Sequence, residues 1–130
     1  PNPATDLQYL KEKVDAGADY IITQMFFDNA KFHAFVKDCR AIGITVPIIP
    51  GLKPIYTKKQ LTVLPKTFHI DLPTELSNEV LRCKTDLDVE KVGKEWLLAQ
   101  SKELKAAGVP VLHYYTLGRP QLVADVVKDI

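Results

Sequence analysis

Val14-Asp15-Ala16-Gly17-Ala18-Asp19-Tyr20-Ile21-Ile22-Thr23-Gln24 is the stretch on which the fold turns. Leu7, Leu10 and Val14 lie at i, i+3 and i+7 and give the segment leading into it one apolar helical face. Thr5 and Gln8 have capping-box spacing, which places the N-cap at Thr5. Gly17 closes the helix, because a C′ residue takes a left-handed conformation that glycine adopts without a Cβ clash. Asp19 to Gln24 then reads as a strand. Its apolar pair Ile21-Ile22 indicates burial on both faces, as parallel strands require.

Outward from there the unit recurs. Asn29 to Ile42 reads as a helix with Phe32, Phe35, Val36 and Cys39 on one stripe, closed by Gly43. Ile44 to Ile49 reads as a β-branched strand stopped by Pro50-Gly51. Thr57 and Gln60 repeat the capping-box spacing and open a short helix that Pro65 ends. Pro73 suits the first position of a helix running toward Arg82. Asp86 begins a long helix carrying Val89, Val92, Trp96, Leu97 and Leu104, terminated by Gly108. Val109 to Tyr115 is the third strand, and Pro120 opens a last helix with Leu122, Val123, Val126 and Val127 facing inward.

The junctions Ala16-Gly17-Ala18, Ile42-Gly43-Ile44 and Ala107-Gly108-Val109 are alike, each a helix end feeding a strand. Repeated units of this kind imply an α/β fold of parallel strands joined by right-handed crossover helices. Three strands make a small sheet. The economical reading is the C-terminal part, strands 6 to 8, of a (β/α)8 TIM barrel, with a compact doubly wound domain as the alternative.

Composition narrows the function. Seventeen basic against sixteen acidic residues leave a net charge of +1, and no basic run exceeds Lys58-Lys59, so nucleic acid is not an expected partner. Apolar runs of a few residues cannot make a membrane-spanning helix of about 20, and no signal-peptide pattern is present. Cys39 and Cys83, without metal-ligand spacing, read as reduced thiols of a cytoplasmic protein; a disulfide or a nucleophile is the alternative. No metal cluster, P-loop, dinucleotide fingerprint or Ser-His-Asp arrangement can be read. Asp71, Glu75 and Glu79 read as an acidic helical face.

Chemistry concentrates where apolar strands end in polar side chains, the usual ligand edge of parallel sheets. Gln24 either satisfies loop backbone or reads the donor–acceptor edge of a heterocycle. Phe26 and Phe27 read as core rather than a stacking platform, and His113 as a core histidine. Arg119, beside Tyr115 and the start of the last helix, places a cation where a carboxylate or phosphate could bind; a surface salt bridge is its other reading. Asp6 and Lys13, seven residues apart, share one side of the first helix within about 20°.

Four runs in order, Asp6-Leu7 through Leu10-Lys11-Glu12-Lys13-Val14-Asp15-Ala16-Gly17-Ala18, Ile22-Thr23-Gln24-Met25-Phe26-Phe27-Asp28, Val46-Pro47-Ile48-Ile49-Pro50-Gly51 and His113-Tyr114-Tyr115-Thr116-Leu117, resemble methylenetetrahydrofolate reductase. The resemblance spans nearly the whole chain and implies a TIM barrel over residues 1–130 that is part of a larger one. It implies FAD at the C-terminal strand ends and NADH or NADPH as reductant. It also implies reduction of 5,10-methylenetetrahydrofolate to 5-methyltetrahydrofolate, in one-carbon and methionine metabolism. Gln24, Tyr115 and Arg119 match substrate-binding residues of that family, and Asp6 and Lys13 match FAD contacts. The family's general acid and its main flavin-binding groups lie on earlier strands, so no catalytic residue is assigned in this chain.

Two local departures stand out: Gly118 where the family commonly has Asn, and Lys58 where its loop usually carries an aromatic, with Tyr56 nearby. The expectation is a fragment inactive alone, from an enzyme that is a homo-oligomer at full length. The alternative is a non-catalytic half-barrel that serves as a binding or assembly module.

Overall fold

The computed structural model describes residues 3–68, 70–116 and 119–130. Leu117 and Gly118, and with them the departure at Gly118, lie outside the described residues. The elements run α1 (Pro3–Asp15), β1 (Ile21–Met25), α2 (Asn29–Ala41), β2 (Ile48–Leu52), α3 (Gln60–Phe68), α4 (Thr74–Arg82), α5 (Asp86–Ala106), β3 (His113–Tyr114) and α6 (Pro120–Val127). The strands form one parallel sheet in the order β1-β2-β3, with Ile21 opposite Ile48, Met25 opposite Gly51 and Leu52 opposite Tyr114. The α/β reading holds. The three junction glycines all have positive φ, 124°, 89° and 88° at Gly17, Gly43 and Gly108.

Helices cover one face of this sheet. Ile48 and Leu52 point into a core with Phe32 and Cys39 of α2, Leu97 and Leu104 of α5 and Val126 of α6; Leu7, Leu10 and Val14 of α1 pack against it. Alternation along a strand sends Ile22 and Gln24 of β1 to the opposite face, and both are exposed. A doubly wound sheet would bury both faces; a barrel segment buries its outer face on helices and leaves the inner one to the rest of the barrel. A second core, Met25, Phe27, Ile55, Leu64, Leu76, Val80 and Val89, caps the C-terminal strand ends with α3 and α4.

Several expected boundaries move. The first helix starts at Pro3, which puts Thr5 inside it rather than at the N-cap. The first strand occupies Ile21–Met25 rather than 19–24, and the third is only His113–Tyr114. The second strand is Ile48–Leu52 and runs through Pro50-Gly51 instead of stopping there. The pairing tolerates this proline because the register slips between Ile22 and Met25 beside it, where a ladder N–H is dispensable. Pro65 lies inside α3 rather than ending it. Buried Leu64 anchors that helix in the strand-end core, and this packing outweighs the lost backbone hydrogen bond. Asp71 precedes α4, so it shares no helical face with Glu75 and Glu79; it pairs with Lys31 of α2.

Candidate functional site

The C-terminal edge of the sheet is assembled around Gly51. The Tyr115 phenol leaves the end of β3, crosses over β2 and donates to the Thr23 carbonyl of β1 at 3.0 Å. A Cβ at position 51 would sit 2.5 Å from that carbonyl oxygen and 2.7 Å from Cε2 of the Tyr115 ring. Only glycine leaves room for the crossing. The Thr23 hydroxyl accepts from the Gly51 amide at 2.9 Å and ties β1 to β2 at the same level. His113 packs edge-on to Tyr115, with ring centroids 4.7 Å apart.

The loop after β2 is fixed just as tightly. A Cβ at Gly93 of α5 would fall 1.7 Å from the Ile55 carbonyl oxygen, so this backbone rests directly on the helix. Gln60 Oε1 accepts from the Tyr56 and Thr57 amides at 2.7 and 3.1 Å, the reach-back half of the expected capping box. Tyr56 is thereby held at the rim, and two cations lie over its ring: Lys53 Nζ at 4.6 Å and the Arg119 guanidinium carbon at 4.8 Å from the centroid. Arg119 is the N-cap residue of α6 and also pairs with Glu90 of α5. Lys58 reaches away toward the Leu81 carbonyl, which leaves Tyr56 as the loop's rim aromatic.

Because the strands are parallel, Gln24, Tyr115 and Arg119 all fall at the same edge, with Thr23 linking the first two through the Tyr115 hydroxyl. Gln24 is exposed, and its Oε1 accepts from the next amide, Met25 N, at 3.1 Å. It lines a hollow of about 380 Å3 with Leu10, Ile22, Phe26, Lys31 and Phe35. Phe26 stacks on Phe32 at 5.3 Å and Phe27 is 2% exposed, so both belong to the packing as expected. Asp28 caps α2 through Ala30 N, and Trp96 Nε1 donates to the Phe27 carbonyl at 2.8 Å. The turn after β1 is therefore set by α5.

Asp6 and Lys13 lie apart from the rim, on the groove between α1 and α2 that Leu7, Leu10 and Phe35 wall. This groove and the Gln24 hollow share Leu10, Lys31 and Phe35, so the two are neighbours. Arg119 makes the salt bridge that was one of its two sequence readings, with Glu90 as partner. Sequence reasoning missed Lys53, Glu90 and the role of Gly51. Lys53 is 3% exposed, and burial pushes its ammonium pKa down to about 8. Cys39 is buried, Cys83 is partly exposed, and both are free thiols. Among the described residues no cluster of metal-ligating side chains occurs, and no helix is long and apolar enough to cross a membrane.

A parallel sheet clothed by helices on one face, with Gln, Tyr and Arg at its C-terminal edge, defines an α/β scaffold of the kind that binds ligands at strand ends. The chain belongs to the methylenetetrahydrofolate reductase family, whose model matches residues 1–130. It is 42% identical over 127 residues to methylenetetrahydrofolate reductase (NADH) 1 of Arabidopsis thaliana, covering 97% of this chain and 22% of that protein. It is 38% identical over 132 residues to the probable methylenetetrahydrofolate reductase (NADPH) of Caenorhabditis elegans, covering 100% and 20%. The 5,10-methylenetetrahydrofolate reductase of Pectobacterium carotovorum is 36% identical over 118 residues, 90% of this chain and 40% of that one. The chain thus spans a fifth to two fifths of these relatives. The fold also matches an uncharacterized protein from Clostridium thermocellum that binds two copies of 5-methyl-5,6,7,8-tetrahydrofolic acid. That match has a TM-score of 0.60 and 20% identity, covering 96% of this chain and 47% of the other.

Proposed function

We propose that this chain forms strands 6 to 8 of a (β/α)8 barrel that reduces 5,10-methylenetetrahydrofolate to 5-methyltetrahydrofolate at the expense of NADH or NADPH. The single observation that supports it most is that Gln24, Tyr115 and Arg119 each follow or close a strand at its C-terminal end, in a chain matched over its full length by the reductase family. Gln24 presents an amide that can pair with the pterin's alternating donors and acceptors. Tyr115, fixed by its bond to Thr23, offers a rigid aromatic wall beside it. Arg119 supplies positive charge toward the ligand's carboxylates.

The groove lined by Asp6 and Lys13 suits part of a flavin adenine dinucleotide. The lysine can meet phosphate, the aspartate can accept from hydroxyls, and the apolar wall of Leu7, Leu10 and Phe35 can lie against uncharged parts of the cofactor. When bound, the flavin supplies the hydride that the methylene carbon receives. The chain's own residues orient the folate and keep the two ligand sites adjacent. The groups that transfer protons belong to earlier strands of the barrel, so this segment by itself should not turn over substrate. The other reading, a non-catalytic half-barrel that completes its sheet with a partner, is favoured by the bare inner face at Ile22 and Gln24.

Steady-state kinetics on the protein carrying the whole barrel test the assignment. Gln24→Ala should raise KM for methylenetetrahydrofolate about tenfold with little change in flavin retention, and Lys13→Ala should do the reverse. Equal effects of both changes on both ligands would overturn the division of sites. A lack of any folate-dependent oxidation of NADH or NADPH would overturn the reductase reading itself.

A further inference from the structure

The best-enclosed cation at the strand ends is Lys53, which the sequence does not advertise. It follows β2 directly, two residues beyond Gly51, on the side of the strand where Tyr115 crosses. The residue is 3% exposed, and its ammonium donates to the Pro54 carbonyl at 3.2 Å and lies over the Tyr56 ring. Among the described residues no carboxylate pairs with it. Arg119 shares the same ring but already has Glu90. The rim thus holds two cations on one aromatic platform, and only one has an internal counter-charge.

A charged amine taken out of water with one neutral acceptor is costly unless an anion compensates it. A carbonyl and a ring face hold the ammonium in place, but neither neutralises it. We infer that Lys53 is a specificity-determining residue that receives a carboxylate of the bound ligand, with Tyr56 as platform and Arg119–Glu90 as its flank. The inference rests on the folate reading above. There the anionic groups are the carboxylates of the glutamate tail, at the opposite end of the molecule from the pterin that Gln24 would read. It adds a second cation to Arg119. Arg119 is paired with Glu90 and shares the Tyr56 ring, and Lys53 contributes a charge with no carboxylate partner among the described residues. At neutral pH the amine still carries that charge, since its pKa lies near 8.

Affinity measured for two ligands tests this in the intact barrel protein. One is 5-methyltetrahydrofolate; the other is 5-methyltetrahydropteroate, which lacks the glutamate and its carboxylates. The wild type should prefer the glutamate-bearing ligand by tenfold or more, the weight of a charge-assisted contact. Lys53→Met should lose about tenfold in affinity for 5-methyltetrahydrofolate and nothing for the pteroate, and Lys53→Arg should keep most of the preference. Lys53→Gln provides a second neutral variant should the methionine protein misfold. A neutral variant that retains the wild-type preference overturns the inference. So does a wild type that binds both ligands equally well, whatever the variants do. A wild type that binds neither ligand instead removes the folate reading beneath it.

Discussion

The two halves of the strand-end rim are built differently. Around β2 and β3 the rim residues are held by other parts of the chain: the Tyr115 side chain by Thr23, the Tyr56 backbone by Gln60, the Arg119 side chain by Glu90, and the loop at Ile55 by its close approach to Gly93 of α5. Around β1 the key residue is free. Gln24 is exposed, among the described residues its side chain hydrogen-bonds to the adjacent Met25 amide alone, and it stands on an edge strand beside exposed Ile22. Side chains fixed before a ligand arrives cost less entropy to use. The β2–β3 half is therefore preorganised by this chain, whereas the β1 half needs what lies beyond its free edge, the neighbouring strand of a closed barrel on the reading proposed here.

Substitutions can break this contrast, and the largest effect is expected at the crossing point. Gly51→Ala puts a methyl against the Thr23 carbonyl and the Tyr115 ring, and should cost about 3 kcal/mol in chemical denaturation, at the upper end of overpacking penalties. It should also free the Tyr115 hydroxyl. A loss below about 0.5 kcal/mol would mean that the crossing is not rigid.

Lys53→Met should act in the opposite direction. Burial holds the folded amine near 8, below its ordinary 10.5, so the unfolded chain retains the proton in between, and the native state bears the full cost of the buried charge below pH 8. That cost fades as pH rises from about 8 to 10.5. The methionine variant should gain on the order of 2 kcal/mol at pH 7 and progressively less across that window. A gain independent of pH would point to packing rather than charge.

Tyr115→Phe removes one interstrand hydrogen bond and should cost about 1 kcal/mol, read as a small shift in the denaturation midpoint with an unchanged slope. Gln24→Ala, in the open half, should move stability by less than about 0.5 kcal/mol while weakening folate binding. A larger stability loss there would show that β1 is organised as firmly as β3 and would erase the contrast.

The contrast also explains what could be read from residues alone. Helix-ending glycines follow from local rules, and all three stand where they were expected, with their positive φ, while the strands after Gly43 and Gly108 begin several residues later than read, at Ile48 and His113. The strand through Pro50-Gly51 was hidden because the dipeptide is a turn signal. The reason for Gly51 is a tyrosine 64 residues away, invisible to any local pattern. Lys53 belongs to no local pattern that marks a buried lysine; its burial comes from the fold. The candidates Gln24, Tyr115 and Arg119 stand out in the sequence because polar groups at the ends of apolar strands are conspicuous. The pairing of Arg119 with Glu90 was not, because it joins two helix beginnings that only the fold brings together.

A crystal structure of the intact barrel protein with 5-methyltetrahydrofolate bound is the most direct test of the rim as the folate site. The pterin edge should lie within hydrogen-bond distance of the Gln24 amide and its ring beside Tyr115, with the glutamate carboxylates turned toward Lys53 and Arg119. Folate found at the other end of the strands, or in the Asp6–Lys13 groove with Gln24 untouched, would contradict the assignment.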